Sequence, residues 1–245
     1  MLRRVIRGAA IAGVAAYAVY ELTRTDRMGV HHRVKAGPLP GDDLVDAPHY
    51  VDTDAVTIDA PPSAVWSWLV QMGYARAGWY CCTRCNRVDL EPHDEWRVLP
   101  QFQTLTAGAT LPTHAGGGFR VVSVEPQRAL VLYVDDQMAR EQAAAYNGNG
   151  HKVAATISAG PPDASIPPFA LSWSFLLEPL SAQRTRLIAR YRLALAASAR
   201  GHRLLQPVVG LGIFWMQGKQ LRGIKLRAEY AQAGRPREAG VGLAA

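Results

Sequence analysis

Between Thr57 and Tyr80 the chain reads TIDAPPSAVWSWLVQMGYARAGWY, and no other stretch limits the fold so tightly. Val56 and Ile58 alternate at the end of a strand expected over 51–58. Pro61 and Pro62 follow, and proline suits the first turn of a helix, where its missing N–H would be unpaired anyway. Val65, Trp68, Leu69 and Met72 then recur at i, i+3, i+4 and i+7, one apolar helical stripe. Gly73 fits a left-handed cap at the helix end. A second short helix is expected from Trp79 to about Leu90. The stretch is a strand followed by two short helices, the entry to a fold that encloses a cavity.

The remainder reads mostly as strands. Phe119–Glu125 and Ala129–Val134 are joined by Pro126-Gln127-Arg128, a hairpin spacing. Pro100 and Pro112 bracket irregular or edge-strand sequence. From Asp135 to Pro168 the run Asn147-Gly148-Asn149-Gly150 and two proline pairs predict two mobile loops around one strand, Lys152 to Ser158. Ala170–Glu178 places Leu171, Trp173, Phe175 and Leu177 on one face. Thr185–Ala194 does the same with Leu187, Ala189, Tyr191 and Leu193, leaving Arg186, Arg190 and Arg192 on the other. A long helix runs from about Gln206 to Gln232, with Leu211, Trp215, Leu221, Ile224 and Ala228 on one side. Its Gly210, Gly212, Gly218 and Gly223 each cost about 1 kcal/mol relative to Ala. They fit a close approach either of backbone or of a ligand. An antiparallel sheet of about six to seven strands with helices on one side is an α+β architecture.

With 245 residues, 27 basic against 20 acidic side chains, and 49% hydrophobic residues, the chain is globular and basic. No zinc-finger, helix-turn-helix or RNA-binding signature accompanies the charge, so no nucleic-acid partner is expected. Arg3, Arg4 and Arg7 precede an uncharged run from Gly8 to Tyr20. Extended from Val5 to Leu22 it would reach roughly 27 Å as helix, near the hydrocarbon thickness of a membrane. It reads as a single-pass anchor, placing the protein at the cell membrane. A cleaved signal with Ala16-Tyr17-Ala18 at the cut, or a helix lying on the surface, are the alternatives. Arg24, Arg27, Arg33 and Lys35 follow the run, so charge does not orient it. The expected organisation is an N-terminal hydrophobic segment over 1–25, a linker over 26–49 marked by Gly37-Pro38-Leu39-Pro40-Gly41, a folded domain over 50–233, and a tail over 234–245.

The folded part resembles the SRPBCC superfamily, also called START-like or helix-grip, which includes the polyketide cyclase/dehydratase groups. The resemblance runs from about Leu39 to Glu229. It rests on Leu39-Pro40-Gly41-Asp42-Asp43-Leu44-Val45, on Ile58-Asp59-Ala60-Pro61-Pro62-Ser63-Ala64-Val65-Trp66, on Gly73-Tyr74 and on Ala77-Gly78-Trp79-Tyr80. Ser172-Trp173-Ser174-Phe175-Leu176-Leu177-Glu178-Pro179, Thr185-Arg186-Leu187 and Leu221-Arg222-Gly223-Ile224-Lys225 complete it. Together these residues resemble a bacterial subgroup whose members often carry an N-terminal hydrophobic segment. The resemblance implies a curved antiparallel sheet gripping the long C-terminal helix around a cavity for a hydrophobic ligand. It brings no shared catalytic motif. After Trp79-Tyr80, similar proteins tend to show Ser, Tyr and Asp where this chain has Cys81, Cys82 and Thr83.

Candidate chemistry is sparse. No nucleophile elbow, phosphate loop, dinucleotide or zinc-protease motif is present, and catalytic residues stay unassigned. Neither a cofactor nor a metal is expected: Cys82-x-x-Cys85 with His93 falls short of four zinc ligands, and Cys81, Cys82 and Cys85 read first as packing, with a regulatory or incidental disulfide as the alternative. His93-Asp94-Glu95-Trp96 is either an acid/base cluster at a cavity mouth or a solvated loop. Asp135-Asp136 is either a cation site or a solvated turn. Lys219, Arg222, Lys225 and Arg227, with Arg186, Arg190 and Arg192, form either a stripe for anionic lipid or a solvated face. The aromatic set says more. Trp68, Tyr80, Phe119, Tyr133, Trp173, Phe175, Tyr191 and Trp215 are the expected lining, suited to a planar polycycle, a sterol or an acyl chain, unless they are plain core packing. The expected function is a membrane-tethered binding protein for a hydrophobic small molecule or lipid. A cyclase-like enzyme using polar groups of the same cavity and a non-catalytic envelope interaction protein are the alternatives.

Overall fold

The computed structural model describes residues 30–31, 34–81, 95–148, 168–195 and 200–233, with side chains up to 146 in the helix that ends at Gly148 and from 216 onward in the last helix. The strands are β1 (Val30–His31), β2 (Tyr50–Ile58), β3 (Thr110–His114), β4 (Gly117–Glu125), β5 (Ala129–Asp135), β6 (Phe169–Ser181) and β7 (Arg184–Leu195). The helices are α1 (Pro62–Val70), α2 (Asp136–Gly148) and α3 (Arg200–Gln232). The described strands form one seven-stranded sheet in the order β1-β2-β7-β6-β5-β4-β3. Every pairing in it is antiparallel. The C-terminal helix packs across β2, β7 and α1. This is the α+β helix-grip arrangement.

The pleat sorts side chains to two faces. Register sets Leu132 and Tyr191 beside Trp173, and Leu130 and Ala189 beside Phe175, all on the face turned to α3. On β2 that face carries Tyr50, Asp52, Asp54, Val56 and Ile58, because Asp52 lies opposite Tyr191 and Asp54 opposite Ala189. With Val65, Trp68, Leu69 and Met72 of the α1 stripe and Leu221, Ile224 and Ala228 of α3, these residues make the core. Burying one such large side chain contributes about 1.5–3 kcal/mol.

Part of the expected linker is a strap on the opposite face. Residues 34–45 cross the sheet, and Leu39 packs with Ala55 and Ile188 in a second small core. Gly41 makes the crossing possible: its φ is 86°, and a Cβ there would stand 2.5 Å from Val131 Cγ1. Proline and glycine mark this stretch as irregular, but its anchor is distant in sequence. The Arg190 guanidinium donates to Thr53 Oγ1 at 3.0 Å, to the carbonyls of Gly37 and Ala36 at 3.1 Å each, and to Asp42 Oδ2 at 2.5 Å.

Further expectations change. Asp136–Gly148 is helical rather than a loop. Asp135 Oδ1 accepts from Met138 N at 2.8 Å, an N-terminal cap, and Asp136 Oδ1 accepts from Phe169 N at 3.2 Å, so the aspartate pair ties a helix to β6. Gln142 then grips Gly118 with both amide atoms, accepting from its N at 2.9 Å and donating to its carbonyl at 3.1 Å. The strand expected over 152–158 lies outside the described residues. So does most of the second short helix: Trp79, Tyr80 and Cys81 are non-helical, and 82–94 are not described. Gly73, at φ 125°, lies beyond the helix end rather than at its cap, closing a tight loop by pairing with Gly78. No described helix is long and apolar enough to cross a membrane, and residues 1–25 lie outside that description.

Candidate ligand site between the sheet and the C-terminal helix

Trp173 is the hub of the inner face. Its ring stacks on Trp79 at 5.7 Å and 9°, and meets Phe119 at 5.8 Å, Phe175 at 5.1 Å and Tyr191 at 6.1 Å. Strand alternation brings Phe175 and Tyr191 there, and Trp79 arrives from the loop after α1. These contacts are worth about 0.5–1.5 kcal/mol per pair beyond simple burial.

A polar chain runs through this apolar wall. Trp173 Nε1 donates to Gln217 Oε1 at 3.0 Å, and Gln217 Nε2 donates to Asp54 Oδ2 at 3.0 Å. Gln217 and Asp54 are both fully buried. Beside them Asp52 is also buried and accepts from the Tyr50 hydroxyl at 3.4 Å. Burial, with the neighbouring Tyr50, pushes the Tyr191 phenol well above its ordinary pKa, so it stays protonated. The interior therefore offers a carboxylate oriented by an amide, next to a neutral phenol, behind a stacked indole wall.

Two more polar atoms border the same region. Trp79 Nε1 and Gln220 Oε1 are buried with no hydrogen-bond partner among the described residues. Gln220 Nε2 donates to Met72 Sδ at 3.4 Å.

The loop carrying Trp79 is fixed to α3 at the next residue. Tyr80 has φ 59°, costly for a bulky side chain. Its hydroxyl donates to the Trp68 carbonyl at 3.1 Å and its ring meets Trp68 edge-on. Arg227 lies between the Tyr80 and Trp96 rings, 4.4 and 4.3 Å from their centroids. It donates to the carbonyls of Glu95 and Gly223. Gly223 settles one of the open glycine readings: a Cβ there would come within 2.4 Å of the Tyr80 carbonyl oxygen, so this glycine admits backbone, not ligand.

Of the expected lining, Phe119, Trp173, Phe175 and Tyr191 come together on the inner face, with Trp68 and Tyr80 buried beside them. Tyr133 does not join them. It pairs with Ser172, so alternation turns it to the opposite face, where its hydroxyl donates to Asp135 Oδ2 at 3.1 Å. The Trp215 side chain lies outside the described residues. Glu95 of the expected acid/base cluster is an internal cap, accepting from the backbone N–H groups of Trp96 and Arg97. Burial pushes its carboxyl up, but those bonds and the Arg97 guanidinium outweigh it and hold the pKa below the ordinary range. His93, Asp94, Cys82 and Cys85 lie outside the described residues, and no described group of three or more His, Cys, Asp or Glu could hold a metal ion. The basic stripe does not form. Arg190, Arg222 and Arg227 are buried, Arg192 donates to the Val45 carbonyl, and Lys225 joins the Thr57 carbonyl to Glu229.

The polar residues of the site were absent from the expected lining. Aspartates on a strand suggest solvent, yet Asp54 shares the parity of Val56 and Ile58. Gln217 precedes Leu221, Ile224 and Ala228 by helical steps and occupies the same stripe. Those two spacings were the available signal.

No family model matches the chain, and no curated protein does. Among solved structures, a hypothetical protein of Helicobacter pylori is 10% identical, with 80% of this chain and 97% of that one covered at TM-score 0.43. The Zhui aromatase/cyclase of a Streptomyces species is 12% identical, covering 75% and 95% at TM-score 0.34. A Polyketide_cyc-like protein of Corynebacterium glutamicum is 12% identical, covering 77% and 97% at TM-score 0.34.

Proposed function

We propose that this chain is a binding protein for a hydrophobic small molecule held between the inner sheet face and α3, tethered to a membrane by its first 25 residues. The observation that carries the reading is the buried Trp173–Gln217–Asp54 chain inside an otherwise aromatic wall. A core that needed only packing gains little from such a chain, since buried polar groups must be fully bonded merely to break even. A ligand site uses a few placed polar groups in an apolar lining to fix orientation. Full-length protein titrated with fractions of a hydrophobic cell extract should rise in melting temperature, and Trp173→Ala should lose the response. No stabilising fraction, from lipids or from aromatic metabolites, would count against binding. For the tether, the protein should stay with membranes through an alkaline carbonate wash, and release by the wash would remove that part.

A second reading, an enzyme acting in the same place, is favoured by Asp54. A buried carboxylate held by Gln217 is positioned for proton transfer to or from a bound molecule. Asp54→Asn separates the two: a carrier keeps its ligand unchanged in both forms, whereas an enzyme binds in both and converts the ligand only with Asp54.

A further inference from the structure

We infer that the ligand is a flat molecule without negative charge, bearing one hydrogen-bond acceptor and one donor, read by Trp79 and Gln220; this rests on the binding reading above. Gln220 is fully buried. Its Nε2 donates to the Met72 thioether, which can accept but never donate, and this orients the amide with Oε1 turned away from the sulfur. That oxygen has no partner among the described residues, and neither has the buried indole N–H of Trp79. Orphaned buried polar atoms are few in native proteins, and each calls for a cause.

Packing and hydrogen bonds link the two residues through shared neighbours. Trp79 stacks on Trp173, and Trp173 bonds to Gln217, one helical turn before Gln220. Gln220 in turn touches Met72, at the start of the segment that carries Trp79. The segment and α3 meet again where Gly223 faces the Tyr80 carbonyl. An indole N–H only donates, so the ligand presents an acceptor to it. An amide oxygen only accepts, so the ligand presents a donor. Both protein groups are uncharged, and the buried Asp52 and Asp54 lie on the same face, so an anion would be desolvated beside acidic side chains, which selects a molecule without negative charge. The near-parallel Trp79 and Trp173 rings offer a flat wall. An acyl chain has neither the shape nor the donor.

Three flat tricycles of nearly equal size test this by calorimetric titration of the full chain. Fluorene has neither group, fluorenone has an acceptor, and the hydroxyfluorenone isomers have both. The best hydroxyfluorenone should bind about tenfold more tightly than fluorenone, and fluorenone about tenfold more tightly than fluorene, one net hydrogen bond per step. Gln220→Leu should erase the first step alone and Trp79→Phe the second alone. Gln220→Leu should also raise the melting temperature of the ligand-free protein, since it removes an unbonded acceptor; Gln220→Met serves if the branched side chain disturbs folding. Equal affinity for all three tricycles overturns this inference and leaves the binding proposal standing. A wild-type preference that survives both substitutions overturns the assignment to these two residues. No binding of any tricycle, in a protein still stabilised by a hydrophobic extract, overturns the flat-ligand class alone. Failure with both tricycles and extract overturns the binding reading itself.

Discussion

The two faces of the central sheet bury polar groups in different ways. On the outer face the chain supplies its own partners: the Arg190 guanidinium makes four hydrogen bonds to the strap and to Thr53. Atoms left unbonded there are Asp42 Oδ1 and Arg192 Nε, which belong to groups of opposite charge, with Arg192 Nη1 3.8 Å from Asp42 Oδ1, and the hydroxyl Ser172 Oγ. On the inner face the aromatic wall is threaded by one satisfied chain and flanked by two uncharged orphans, Trp79 Nε1 and Gln220 Oε1. The strap covers the outer face, and α1 and α3 cover the inner one, where the aromatic wall and the proposed site lie. Stability should therefore depend on both faces, and ligand affinity on the inner one alone.

The sharpest way to break that contrast is Trp173→Ala. Removing the hub should cost about 3–5 kcal/mol in urea unfolding and abolish binding. Arg190→Ala should cost about 3 kcal/mol by stranding Asp42, yet leave affinity unchanged in protein that remains folded. An affinity loss in that variant would erase the distinction between the faces. Gly223→Ala forces a methyl against the Tyr80 carbonyl and should cost about 1–3 kcal/mol, with the Trp79 segment displaced and affinity reduced. A pH profile sharpens the inner face further. Because the Tyr191 pKa is raised on folding, its contribution is complete below about pH 10 and is lost as pH rises toward the folded value. Tyr191→Phe should flatten that alkaline decline, read from unfolding midpoints. Smallest of all, Arg184→Ala removes an exposed pair with Asp59 and should shift stability by less than about 0.5 kcal/mol.

The same contrast explains what could be read from the sequence. Trp173, Phe175 and Tyr191 declare their face because strand alternation is local, and the α1 stripe follows from helical period alone. Tyr133 was misplaced: Leu132 pairs with Trp173, so parity sends Tyr133 outward with Ser172. The strap was hidden because Arg190 lies about 150 residues from the carbonyls it binds, a distance over which no local pattern reports. The helix Asp136–Gly148 was masked by the Asn-Gly repeats and prolines after it, although Asp135 is a good cap three residues before Met138. Asp54 and Gln217 were legible in principle, since each sits at a core parity. Their polarity suggested solvent, and only the tertiary pairing of β2 with α3 shows that they satisfy one another.

The claim that the inner face is a ligand site is tested most directly by native mass spectrometry of the full chain after mild extraction. The account predicts a hydrophobic adduct on the wild-type protein and on Arg190→Ala, and none on Trp173→Ala. An unadducted wild-type mass that no lipid or aromatic extract alters would contradict it.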